Sequence, residues 1–247
     1  MQLVQFTDTH LFGSHGETLR GVDTLATLQR VLAHAAPAVQ AANAVLVTGD
    51  LVHDDPRGYQ FFRECFAGLG KPVWCLPGNH DIPGAMQHSL AEHPFQYCGQ
   101  VDCQDWRIVL LNSFVDGFAG GRLSANELRR LEAALTSAED RQVLICVHHQ
   151  PIPMQSRWLD TLGLENAADF LAIIDRYPKS VRGVLWGHVH QAYDGERNGV
   201  RLMATPSTCA QFRPRSDDFA IDERPPAYRP IRLLPQGRIE TEIAWVF

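Results

Sequence analysis

Leu3-Val4-Gln5-Phe6-Thr7-Asp8-Thr9-His10 decides how this chain is read: a short apolar run stops on a carboxylate and an imidazole two residues apart. The pattern returns four times. Ala44–Val47 leads to Asp50 in Thr48-Gly49-Asp50, and Pro72–Leu76 leads to Asn79 in Gly78-Asn79-His80-Asp81. Val143–Val147 runs into His148-His149-Gln150-Pro151, and Val181–Trp186 precedes His188 and His190 in Gly187-His188-Val189-His190. Short runs rich in Val, Ile and Leu read as strands buried on both faces; Ile108–Leu111 and Val200–Ala204 are two more.

Helical patterns fall between these runs. Leu25, Leu28, Val31, Leu32 and Ala35 recur at helical spacing in Thr24–Gln40. A second helix is expected over Pro56–Leu69, with proline in its first turn. Ser124-Ala125-Asn126-Glu127 has the form of a capping box opening a helix through Leu135, and Asn166–Tyr177 supplies another. Tyr228–Leu234 and Arg238–Val246 read as a hairpin turning at Pro235-Gln236-Gly237. The alternation predicts an α/β protein with helices covering central sheets. With no internal repeat or long linker, residues 1–247 are expected to form one domain, with 213–230 as a lid or lobe excursion.

Composition sets limits on function. The 22 basic and 28 acidic residues give a net charge of −6, which argues against nucleic acid or an anionic membrane as partner. No apolar run is long enough to span a bilayer. Met1-Gln2-Leu3-Val4-Gln5-Phe6 lacks a basic segment followed by an apolar one, so no signal peptide is read there and the cytoplasm is the expected location. None of the six cysteines forms a Cys-x-x-Cys pair, so they read as reduced, mostly structural thiols.

Asp8, Asp50, Asn79, His148 and His188 each follow a strand, and polar groups at the carboxyl ends of sheet strands converge on a shared crevice. With His10 and His190 they form a set of carboxylate, amide and imidazole donors suited to two hard-to-borderline divalent cations. Asp50 is the expected bridge. Asp8, His10 and one late histidine would complete one metal, and Asn79, His148 and the other late histidine the second. Such a pair activates water as hydroxide for in-line attack on a phosphate ester. Two cations, two carboxylates and one hydroxide sum to about +1, matched to a phosphodiester monoanion. His80 is the candidate for protonating the leaving oxygen, with Asp81 orienting it or a ligand. His53 is expected to line the pocket, and His149 either to point away or to fix its loop.

These blocks, in this order, resemble the calcineurin-like metallophosphoesterases. The narrower likeness is to bacterial class III 3′,5′-cyclic AMP phosphodiesterases. It is carried by Gln5–Phe12, Glu17-Thr18-Leu19-Arg20-Gly21-Val22, Leu76–Asp81, Ser156-Arg157-Trp158-Leu159-Asp160, Gly187–Gln191 and Ala204-Thr205-Pro206-Ser207-Thr208-Cys209-Ala210-Gln211-Phe212. The last contains no expected metal ligand, so metal chemistry alone does not require it.

The resemblance implies a four-layer α/β/β/α metallophosphoesterase sandwich. It places Asp8, His10, Asp50 and His190 around one metal and Asp50, Asn79, His148 and His188 around the other, with His80 catalytic. Asn79, His80 and His148 are also expected to touch substrate. Gln150 departs from relatives that carry a third histidine there. The implied cofactors are two divalent or mixed-valence ions, iron or manganese first and zinc, cobalt or nickel next. The implied partner is a small cyclic nucleotide, with Phe12, Trp158 or Phe212 stacking on its base; oligomeric state is left open. The expected reaction is hydrolysis of 3′,5′-cyclic AMP to 5′-AMP. The alternatives are a glycerophosphodiester or 2′,3′-cyclic nucleotide as substrate, or a non-catalytic scaffold.

Overall fold

Alternation along each central strand sorts its apolar side chains onto two faces, and those faces set the architecture. The computed structural model describes residues 1–247. In the strand Ala44–Thr48, Val45 and Val47 pack among residues of the helices Thr24–Ala41 and Gly58–Ala67, whereas Ala44 and Leu46 turn the other way. In Gln142–Cys146, Val143 and Ile145 pack with residues of the helices Ala125–Thr136 and Ala167–Ile174, whereas Leu144 and Cys146 do not. The residues turned away from the helices meet in a shared layer of 16 buried side chains drawn from both sheets. Burial at about 1.5–3 kcal/mol per large aliphatic side chain makes this layer sufficient to fix the two sheets against each other. The result is the four-layer α/β/β/α sandwich expected from the sequence.

The first sheet runs in the order Ile239–Thr241, Ala227–Leu233, Gln2–Phe6, Ala44–Thr48, Val73–Leu76, Phe95–Tyr97, parallel from Gln2–Phe6 onward. The second runs Tyr193–Arg197, Val200–Ala204, Val181–Trp186, Gln142–Cys146, Trp106–Leu110, Gly99–Cys103, with its four central strands parallel. Each sheet therefore ends its parallel strands along one edge, and the two edges lie together. Gln5 of the first sheet bonds Trp186 O of the second at 3.4 Å, and Thr205 donates back to the Gln5 amide oxygen. Arg229, buried, links them again through Thr205 Oγ1 at 2.9 Å and Ala204 O at 2.8 Å.

Several expectations need correction. The helix expected over Pro56–Leu69 spans only Gly58–Ala67, because Pro56 and Arg57 form the turn that enters it. The helix expected over Asn166–Tyr177 is Ala167–Ile174. Half of the capping box forms: Ser124 Oγ accepts from Glu127 N at 3.1 Å, but Glu127 turns its carboxylate to Asn112 N at 2.8 Å. The excursion 213–230 ends earlier than expected, since Ala227–Leu233 is a strand of the first sheet; within it Ile221–Asp222 pairs with Gln211–Phe212. All six cysteines are unpaired.

Candidate metal centre

The edge where the two sheets meet gathers all seven expected donors. Asp8 and His10 follow Gln2–Phe6, and their loop is bonded to the Asp50 loop through Asp8 N–Gly49 O at 3.0 Å and His10 N–Asp50 O at 2.9 Å. The histidine loop of the second sheet joins them directly: His188 N–H donates to both Asp8 carboxylate oxygens, at 3.0 and 3.1 Å. Asp8, His10, Asp50, His188 and His190 all have left-handed backbone, with φ of 55°, 45°, 51°, 64° and 48°. Such residues cost about 1–3 kcal/mol each and persist where surrounding structure enforces them, typically at functional sites.

Side-chain geometry divides the donors into two groups that share Asp50. Its Oδ1 accepts His80 N–H at 2.8 Å, leaving Oδ2 facing His148 Nε2 at 3.4 Å and His10 Nε2 at 3.6 Å. On one side His10 Nε2 lies 3.1 Å from His190 Nε2, which lies 3.3 Å from Asp8 Oδ1. On the other, His148 Nε2 is 3.3 Å from Asn79 Oδ1, and the His148 and His188 rings are 5.1 Å apart.

Donor chemistry fits two cations. Carbonyls only accept, so Thr48 O at 2.8 Å from His148 Nδ1 and Ala210 O at 2.6 Å from His190 Nδ1 fix the proton on Nδ1. Each Nε2 then presents a lone pair to the cluster, the form in which imidazole binds metals. His188 Nε2 is buried with no hydrogen-bond partner, an orphaned atom that a cation would satisfy. Burial pushes the His10 imidazole well below its usual range, against the pull of Asp50, and burial with the His148 charge pushes His188 down to about 3. Burial alone would raise Asp50, but His148 and His10 outweigh it and hold its carboxyl well below the usual range. His148 is the exception among the imidazoles: burial would lower it, but Asp50 outweighs burial and raises it to about 9, so a cation there would take the place of the proton on its Nε2.

Around the donors stand residues whose roles the sequence left open, and one, Asp54, that it did not single out. His80 Nδ1 lies 3.0 Å from Asp54 Oδ2, so Asp54, not Asp81, orients this imidazole. Asp81 instead accepts from Gly78 N at 2.9 Å, Tyr59 Oη at 2.9 Å and Leu51 N at 3.2 Å, binding the Asp50 and Asn79 loops to one another. His53 Nδ1 touches His10 Nδ1 at 3.1 Å, and its ring stacks on His80 at 4.3 Å. His149 bonds Ser113 Oγ at 2.8 Å and Ala119 O at 3.3 Å, which ties down that loop. Gln150 turns away to Leu159 O at 2.9 Å.

The stretch Thr205–Gln211, which supplies no donor, braces two of them. Ser207 Oγ donates to Asp8 O at 2.7 Å, Gln211 spans Ser207 N and Ser207 O at 3.0 and 2.8 Å, and Ala210 O holds His190. Its polar residues within an apolar context were the signal available in the sequence.

A cavity of about 520 Å³ opens from the cluster, lined by His10, Asp50, Asn79, His80, His188 and His190 at one end. Leu19, Trp158, Leu159, Leu162, Phe212 and Phe219 wall the other. Trp158 and Phe212 thus face the cavity, whereas Phe12 is set behind it against His53, ring centroids 5.1 Å apart. The volume lies within the range of about 300–1,000 Å³ usual for small-molecule sites.

Comparison with known proteins agrees with this architecture. A 3′,5′-cyclic adenosine monophosphate phosphodiesterase, CpdA, of Pseudomonas aeruginosa is 40% identical over 99% of this chain and 89% of its own length. The CpdA of Escherichia coli K12 is 38% identical over 98% and 89%. A 3′,5′-cyclic-nucleotide phosphodiesterase of Nostoc is 34% identical over 98% and 91%. Among solved structures, a dimetal phosphatase from Danio rerio superposes with a TM-score of 0.70 at 15% identity, covering 100% of this chain and 99% of that one. Purple acid phosphatase from yellow lupin gives 0.69 at 13% identity over 100% and 51%. Residues 1–192 match the calcineurin-like phosphoesterase family. By sequence, fold and the order of its donor blocks, the chain belongs to the calcineurin-like metallophosphoesterases.

Proposed function

We propose that this chain is a dinuclear-metal phosphodiesterase that hydrolyses 3′,5′-cyclic AMP to 5′-AMP, acting as one domain in the cytoplasm. The observation that carries the reading is the convergence of two carboxylates, one amide and four imidazoles at the end of a cavity whose other end is aromatic. Asp8, His10, Asp50 and His190 would hold one ion and Asp50, Asn79, His148 and His188 the other, with iron or manganese the ions that the family resemblance implies first. Bound there, the two ions would supply the positive charge that activates water and stabilises the phosphoryl oxygens.

The chain's own groups do the rest. Thr48 O and Ala210 O hold the Nδ1 protons of His148 and His190, keeping both rings aimed at the cluster. Asp54 holds His80 through Nδ1. Nε2 of His80 is then the nitrogen able to donate a proton to the 3′-oxygen as its bond to phosphorus breaks. Trp158 and Phe212 offer apolar ring surface to the base, which favours a nucleoside diester over a glycerol one.

The test is turnover by protein reconstituted with defined metals, on 3′,5′-cyclic AMP, a 2′,3′-cyclic nucleotide and a glycerophosphodiester. The expected result is the highest kcat/KM on 3′,5′-cyclic AMP and its loss on chelation. Preference for either of the other substrates overturns the assignment.

A further inference from the structure

Three of the donor histidines have a bonded Nδ1, and His10 is bonded differently from the other two. His148 and His190 give their Nδ1 protons to the carbonyls Thr48 O and Ala210 O, which can only accept. The partner of His10 Nδ1, at 3.1 Å, is another imidazole nitrogen, Nδ1 of His53. Two nitrogens at that distance share a single proton, which ties the tautomers of the two rings together. His10 Nε2 faces a second imidazole nitrogen, His190 Nε2, also at 3.1 Å. Because the His190 proton is held on Nδ1, its Nε2 carries a bare lone pair. Buried His10 can therefore bond in two ways. With its proton on Nε2 it donates to His190, and both nitrogens that a cation needs are taken up. With its proton on Nδ1 it donates to His53, and both Nε2 atoms stay open toward Asp50 and Asp8.

We propose that His53 is a positioning residue for the centre: its Nδ1 accepts the His10 proton and so holds His10 in the form that binds metal, while its ring backs His80. This rests on the dinuclear reading above, with His10 a ligand of one ion. The fold prepares His53 for the part. Its N–H donates to Leu11 O at 2.9 Å, beside the bridge between Leu11 and Val52, so the backbone that carries His10 also places its acceptor. Phe12 and His80 both pack on its ring, at 5.1 and 4.3 Å, and the His80 plane is tilted by only 28°. His53 is half-buried on the cavity wall, so its own proton can sit on Nε2, where water accepts it. A carbonyl would hold the His10 proton equally well. Only a ring can also back the imidazole that donates to the leaving oxygen. His53 thus serves one ion with its Nδ1 edge and the proton donor with its face.

Two variants separate edge from face. His53→Phe keeps an aromatic ring against His80 but has no acceptor, whereas His53→Asn keeps an acceptor oxygen near the place of Nδ1 but has no ring. Zinc, which is diamagnetic, is titrated calorimetrically into the metal-free protein and both variants. The ring nitrogens of the zinc-loaded wild type are read by long-range proton–nitrogen NMR correlation, which needs no variant to fold. Expected is a proton on Nε2 of His53 and on Nδ1 of His10. His53→Phe should weaken one of the two zinc-binding steps by about 10–100-fold, the usual effect of removing the partner of a metal-ligating histidine. His53→Asn should bind both ions as the wild type does, while its kcat on 3′,5′-cyclic AMP falls at unchanged KM. A proton on His53 Nδ1, undiminished affinity in His53→Phe, or the same loss in both variants overturns the inference and leaves the dinuclear reading intact. Wild-type kcat in zinc-loaded His53→Asn overturns the part given to the ring. A wild type that binds fewer than two zinc ions overturns the dinuclear reading and this inference together.

Discussion

Asp54 Oδ2 lies 3.0 Å from His80 Nδ1, and the imidazole it holds is stacked on His53 at 4.3 Å. The pairing leaves His80 one free nitrogen and one orientation. Because Asp54 is largely exposed, at 66% of its side chain, its effect is positional more than electrostatic. Asp54→Ala should lower kcat by about tenfold to a hundredfold, the scale on which such supporting contacts act. His80→Ala should cost more, about 10²–10⁴-fold. Neither change should release metal, so elemental analysis beside kinetics separates orientation from loss of the centre. Metal-depleted Asp54→Ala protein would show that Asp54 supports the ligands instead.

Ser207 Oγ donates to Asp8 O at 2.7 Å and also accepts from Cys209 N at 2.9 Å, in a fully buried setting. Removing the hydroxyl leaves Asp8 O only the weak Cys209 Sγ donor at 3.5 Å and takes the acceptor from Cys209 N, at a cost of about 1–3 kcal/mol. That carbonyl belongs to a donor residue with left-handed backbone, so the damage falls on the Asp8–His190 half of the centre. Ser207→Ala should lower Tm by several degrees and weaken one of two metal-binding steps in a calorimetric titration. Two unchanged steps would reduce Ser207 to a purely structural role.

The placement of the seven donors was legible because each follows a strand whose apolar pattern is unambiguous. Parallel strands in one sheet deliver their ends to the same edge whatever the connecting loops do. Gly99–Cys103 and Tyr193–Arg197 escaped notice because they are sheet edges with alternating half-buried and exposed residues, without the continuous apolar run of a central strand. Asp54 was hidden for a different reason. Its approach to His80 depends on left-handed backbone at Asp54 itself, φ 56°, and nothing in Asp50-Leu51-Val52-His53-Asp54 announces that turn. The aromatic wall was half legible: Trp158 and Phe212 were read from resemblance, whereas Phe219 joins them only because Ile221–Asp222 folds back on Gln211–Phe212.

Trp158 and Phe212 differ in what else they support, and kinetics should show it. Trp158 contacts only Phe212 and Phe219 among the aromatic rings, whereas Phe212 also stacks on the donor His190. Stacking of a base on an aromatic ring contributes about 1–3 kcal/mol. Trp158→Ala should therefore raise KM for cyclic AMP by roughly fivefold or more, by the same stacking energies, with a much smaller effect on an aryl diester. Phe212→Ala should raise KM and also lower kcat on both substrates, because His190 loses its backing. Equal effects of Trp158→Ala on the two substrates would remove base stacking from the account.

Gly78 tests whether the centre depends on close backbone approach. A Cβ placed there would overlap the Asp50 carboxylate and come within 2.5 Å of Asp50 N, an encounter with backbone that no side-chain rotation relieves. Overpacking of this kind costs about 1–3 kcal/mol. Here the displaced group is the carboxylate placed between His10 and His148, so both halves of the centre should suffer. Gly78→Ala should bind fewer than two metal ions per chain and lose most activity, even where circular dichroism reports a folded protein. Gly84→Ala makes the matched control, since a Cβ at Gly84 meets nothing within 4 Å and the residue lies in the short helix Pro83–Ser89, away from the donors. A Gly78→Ala protein holding two ions with normal kcat would mean that the Asp50 loop yields without disturbing its carboxylate, and the close approach would then have no catalytic consequence.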